Sequence, residues 1–173
     1  MAKRIITISR EFGSGGRFIG EEVAKKLGIA YYDKEMIGQI AEQAGLSSAY
    51  VRENAELSPK EGWFAYAFSG RDITGKSVED MVYEAQRKVI MEIAEKENCV
   101  IVGRNADFIL KDRKDVLNVF IHGSIPEKVR RICSLYNVTE VDAIKMINDI
   151  DKRRRTNYNF YTEQKWGMAE NYT

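Results

Sequence analysis

The stretch Ser9-Arg-Glu-Phe-Gly-Ser-Gly-Gly-Arg-Phe-Ile-Gly20 decides how this chain is read. It lies between the β-branched run Ile5–Ile8 and a helical pattern that ends at Gly28. Strand, glycine-rich loop and helix in that order turn backbone N–H groups and a helix N-terminus toward an anion. A tight turn alone needs one or two glycines. Gly13, Gly15 and Gly16 around Ser14 exceed that need, so the segment reads as a phosphate cradle of Gly13, Ser14, Gly15, Gly16 and Arg17.

The cradle departs from the strict G-x-x-x-x-G-K-[ST] pattern. With Gly15 as the closing glycine, Gly16 stands in the lysine's place and Arg17 in that of the Ser/Thr; with Gly16, Arg17 replaces the lysine and Phe18 the hydroxyl. In both registers Arg17 is the nearest cation, and arginine grips phosphate with a different reach from lysine. The magnesium hydroxyl would have to come from Ser9 or Ser14, or the ion would ride on phosphates and waters. A dinucleotide site ranks lower: G-x-G-x-x-G from Gly13 would need glycine at Phe18, although Asp33 sits where a ribose-binding acid belongs.

Outward from the loop, Phe18, Ile19, Val23 and Leu27 repeat at helical spacing, and 29–32 reads as a strand ending at Asp33. A helix is expected over 36–44. Residues 45–76 are less regular and read as a cover over the acceptor or a small insertion. Ser77 with Asp80 opens a long helix, and Cys99–Gly103 is an uninterrupted apolar run, as in a parallel strand covered on both faces. A strand over 116–123 follows, then helices opened by the Ser124/Glu127 and Thr139/Asp142 capping patterns. Strands alternating with helices imply an α/β fold with a mostly parallel sheet.

Two further segments carry charge to the same end of such a sheet. Gly103, Arg104 and Asp107 emerge directly after the Cys99 strand, where an open α/β sheet has its ligand crevice. Arg153, Arg154 and Arg155 lie among aromatics in 149–167. That stretch fits a solvated helix end, a single-strand nucleic-acid surface or a phosphoryl-transfer lid. His122 falls in a strand pattern and is assigned a structural role.

The totals narrow the class. At 173 residues the chain fits one domain, 1–173. A net charge of +1 excludes a global electrostatic grip on nucleic acid. Cys99 and Cys133 match no metal spacing and read as reduced core residues. No apolar run approaches the roughly 20 residues of a membrane span. A cytoplasmic location is expected.

Taken together, "ISREFGSGGRFIGEEVAKKLG", "YYDKEMI", "VIVGRNADFIL", "VFIHGSIPEKVRRI" and "DKRRRTNYNFYTEQKWG" resemble the cytidylate kinase-like family, a branch of the P-loop nucleoside monophosphate kinases. The resemblance implies a three-layer α/β fold of the P-loop kinase type, with helices on both sheet faces and a helical lid at about 149–167. It implies ATP and Mg²⁺ on one side and a nucleoside monophosphate such as CMP on the other. Gly13–Arg17 would hold the ATP phosphates, Asp33 and Arg104 would face the acceptor, and Arg154, flanked by Arg153 and Arg155, would be the lid arginine. Arg17, Arg104 and Arg154 are the expected catalytic cations, with Asp107 a further acceptor-side candidate. Family members usually continue past "NY" with a final strand and helix, which this chain is expected to lack. The missing lysine leaves a second reading, a nucleotide-binding regulatory module without efficient catalysis. RNA binding through the Arg/Tyr stretch is a lesser third.

Overall fold

The computed structural model describes residues 4–33, 36, 39, 42, 43, 45 and 78–173. Four strands, β1 (Ile5–Arg10), β2 (Ala30–Tyr32), β3 (Cys99–Val102) and β4 (Val116–Ile121), form one sheet in the order β2-β3-β1-β4. Every pairing is parallel, with Ile8 opposite Val102 and Val119. Helices α1 (Gly16–Leu27), α2 (Val78–Lys96), α3 (Ala106–Ile109), α4 (Ile125–Tyr136) and α5 (Glu140–Thr162) accompany it, with a 3₁₀ turn at Ala169–Asn171.

β3 shows why the apolar run predicted a buried strand. Its side chains alternate between two cores: Cys99 and Ile101 pack with Val89, Ile90 and Ile93 of α2, while Val100 and Val102 pack with Ile8 and Ala24 of α1. A strand covered on both faces has no polar side. A third cluster, Val129, Ile132, Ala143 and Ile147, joins α4 to α5 and receives Phe12 from the glycine loop.

The face that α1 buries differs from the expected one. Of the expected repeat only Val23 packs partly against the sheet core; Phe18, Ile19 and Leu27 are more than 40% exposed, and Gly16, Gly20 and Ala24 are buried instead. A Cβ on Gly20 would stand 2.9 Å from Val102 Cγ2 and 3.2 Å from Ile8 Cδ1. The helix lies too close to the sheet for larger residues, so small side chains at i, i+4 and i+8 form its inner face.

The later elements match their sequence signals closely. Ser124 and Thr139 cap α4 and α5 by accepting from Glu127 N and Asp142 N. α5 continues through the arginine run to Thr162. β4 stops at Ile121, which leaves His122 exposed beyond the strand rather than within it. Cys99 is buried and Cys133 half-buried, both as free thiols. The proposed cover at 45–76, apart from Gly45, the Ser77 cap and most of the 36–44 helix lie outside the described residues. Among the described residues no helix is long and apolar enough to cross a membrane.

Candidate functional site

The parallel register brings every strand's carboxyl end to one edge. Connections from β1 leave toward β2 on one side, while β4 lies on the other, so a crevice opens beyond β1. The glycine loop occupies its floor. Gly13 and Gly15 have φ of 80° and 88°, a left-handed geometry that costs glycine nothing. Gly15 is the N-cap of α1 and carries no side-chain cap, so the helix N-terminus is open to a ligand.

A cleft of about 870 Å³ spreads from this floor. Five arginines line it, Arg10, Arg17, Arg104, Arg131 and Arg154, against three carboxylates, Glu11, Glu21 and Asp33. Phe12, Phe18, Ile132, Leu135 and Tyr136 give it apolar wall as well. Cations, open backbone donors and apolar surface in one concavity suit a phosphorylated organic ligand.

The predicted residues take distinct positions. Arg17 points from the first turn of α1 to Asp33, with Nε 3.0 Å from Oδ2. Its side chain is about half exposed, so the pair adds little stability and leaves the guanidinium accessible. Asp33, 8% exposed, also accepts at its carbonyl oxygen from Arg104 Nη2 at 3.2 Å. Arg17, Asp33 and Arg104 therefore form one connected edge of the cleft.

Arg104 is held by its backbone. Gly103, Arg104 and Asn105 have φ of 77°, 63° and 55°, and left-handed geometry at each non-glycine residue costs on the order of 1–2 kcal/mol. Gln86 Nε2 of α2 secures the turn by donating to the Arg104 carbonyl at 2.7 Å.

Asp107 lies behind the cleft wall, 2% exposed. Tyr158 donates to its Oδ2 at 2.9 Å and Ser9 to its Oδ1 at 3.4 Å. Burial pushes the Asp107 carboxyl above its ordinary range, against the opposing effect of those hydrogen bonds. Burial first and Asp107 second drive Tyr158 far up. Of the three consecutive arginines only Arg154 lines the cleft, donating from Nη1 to the Arg10 carbonyl at 3.2 Å; Arg155 is exposed. Tyr158 is buried, so the Arg/Tyr stretch does not present a continuous stacking surface.

Ser9 is buried on Asp107, and Ser14 Oγ donates to the Glu11 carbonyl at 2.8 Å. Among the described residues no group of three metal-ligating side chains occurs. The donor set fits a magnesium carried in by phosphates rather than one caged by the protein.

Several members of the site lie within the quoted segments but were not singled out from the sequence. Arg131 of α4 reaches over the loop so closely that a Cβ on Gly15 would collide with its guanidinium. Lys128, 3% exposed, meets Glu11 Oε2 at 3.0 Å and Asp151 Oδ2 at 3.6 Å. Asp151 accepts the Phe12 N–H at 2.7 Å, and burial raises its pKa against the pull of that bond and of Arg154 and Lys128. One clue to Lys128 was available: it stands four positions before Ile132, on the apolar stripe of α4.

Comparison with known proteins bears on these arrangements. A solved structure of an uncharacterized protein from Eubacterium ventriosum ATCC 27560 is 30% identical, with a TM-score of 0.72 over 97% of this chain and 83% of that one. Shikimate kinase from Bacteroides thetaiotaomicron shares the fold at 18% identity, with a TM-score of 0.52 over 92% of this chain and 82% of its own. TT1252 from Thermus thermophilus does so at 16%, with a TM-score of 0.51 over 95% and 86%. No curated protein matches the chain. Residues 5–173 match the cytidylate kinase-like family, and the chain belongs to that family.

Proposed function

We propose that this protein is a nucleotide kinase that transfers the γ-phosphoryl group of ATP to a nucleoside monophosphate, with CMP the first acceptor to try. The observation that carries the reading is the convergence of five arginines on one cleft floored by an open helix N-terminus. Family membership supports a kinase in general.

In such a transfer the bond from the γ-phosphorus to ADP breaks as one to an acceptor phosphate oxygen forms. The protein's task is positioning and charge neutralisation. The N–H groups at Gly15 and Gly16 would bind the donor phosphates, with Arg131 and Arg154 above them. Arg104, fixed by its turn and by Asp33, would hold the acceptor phosphate through paired hydrogen bonds. Arg17, on Asp33, stands between donor and acceptor sides. Magnesium, if carried in with the triphosphate, would add to the charge neutralisation that these arginines supply.

The test is ADP release from Mg·ATP with a panel of monophosphates. Turnover that depends on one acceptor supports the kinase, and no ADP with any acceptor sinks it. The pairing of Arg17 with Asp33 favours a second reading, nucleotide binding without efficient transfer, because it draws the loop's own cation toward the acceptor side. Calorimetric binding of Mg·ATP without turnover would select it.

A further inference from the structure

Glu11 opens the glycine loop with a carboxylate that lines the cleft, although negative charge beside phosphate oxygens repels them. The same carboxylate is met from behind the loop. Lys128 Nζ lies 3.0 Å from its Oε2, and the Gly123 N–H donates to that oxygen at 3.2 Å. Lys128 is 3% exposed, so its side chain is committed to the interior. It also stands 3.6 Å from Asp151, whose Oδ1 accepts the Phe12 N–H. The α4 backbone presses on the loop as well: a Cβ on Gly13 would be 3.1 Å from both Lys128 Cβ and the Lys128 carbonyl oxygen.

We propose that Lys128 is the counter-charge of the glycine loop, a positioning residue that neutralises Glu11 from behind, in a loop whose own sequence carries no lysine. The inference rests on the phosphate reading of the cleft. Without the ammonium group, Glu11 loses its counter-charge under the phosphates and Asp151 keeps only Arg154, 3.7 Å from its Oδ1, so both the local potential and the seating of Phe12 suffer. Removing one member of a buried charge pair leaves the other uncompensated. With Glu11 neutralised as well, that repulsion disappears.

Charge compensation and a mere structural strut differ in sign at Glu11. Mg·ATP binding is measured by calorimetry for the wild type, Lys128→Met, Glu11→Gln and the double variant, with thermal melts to establish folding. Lys128→Met is expected to weaken binding at least roughly tenfold. Glu11→Gln keeps an oxygen for the Gly123 N–H, leaves Lys128 in excess and is expected to tighten binding about threefold or more. The double variant should return close to wild type. A strut instead predicts that both single variants weaken binding.

Weaker binding by Glu11→Gln overturns the proposal, as does undiminished binding by folded Lys128→Met. If Lys128→Met does not fold, the sign at Glu11→Gln decides alone. A wild type that binds no Mg·ATP overturns the phosphate reading and the counter-charge together. That result is distinct from a wild type that binds while the variants fail to diverge.

Discussion

Arg104 leaves β3 in a left-handed turn, and its guanidinium rests on the Asp33 carbonyl, so its reach is set before a ligand arrives. Lysine could occupy the position but could not make paired bonds to a phosphate. Arg104→Ala should lower kcat/KM roughly a hundredfold, as loss of one preorganised donor does elsewhere, and Arg104→Lys should recover only part of it. Steady-state kinetics against acceptor concentration would check this. Arg131→Ala should act on the other substrate, raising the KM for ATP about tenfold with little change in acceptor KM. Asp107 allows a prediction about pH. Burial raises its folded-state pKa above the unfolded value, so the native carboxylate is penalised above that pKa, and the penalty is relieved as pH falls through it toward the ordinary carboxylate range. Asp107→Asn cannot ionise. Denaturant midpoints should show it gaining on wild type at pH 8 and losing that advantage in mild acid.

At the scale of elements, α1 shows what apolar periodicity can miss. Phe18, Ile19 and Leu27 carry a helical repeat, yet the sheet takes the glycine and alanine face. Hydrophobicity favours large residues for a buried stripe, but separation from the sheet decides what fits. Gly20→Val should destabilise the fold by about 1–3 kcal/mol, read as a shifted urea midpoint. β3 was legible because a parallel strand with two covered faces has to be apolar throughout, and β1 because of its β-branched run Ile5–Ile8. The capped helices were legible because Ser124 and Thr139 bond within three residues of themselves. The glycine loop and the Arg104 turn could be found for the same reason, as each is a contiguous segment at a strand end. Lys128 could not be assigned a partner, since Glu11 lies 117 positions away and only the packing of α4 brings them together. Asp151 and Arg131 were hidden likewise, on helices whose sequence signals are caps and apolar spacing.

Over the whole molecule, α5 touches both sides of the cleft. Asp151 and Arg154 bond to Phe12 and Arg10 around the glycine loop. One turn later, Tyr158 bonds to Asp107 and Asn157 accepts from Asn105 Nδ2 at 3.2 Å, next to the Arg104 turn. A single helix therefore bonds to the glycine loop and to the segment of the Arg104 turn together. The consequence is thermodynamic reciprocity: if ATP shifts this helix and so alters acceptor affinity by some factor, the acceptor alters ATP affinity by that same factor. Titrating each ligand with and without a non-transferable form of the other should close the cycle, with a factor above one. Replacing Tyr158 by Phe, which cuts one tether and keeps the ring, should bring the factor toward one while each separate affinity changes less.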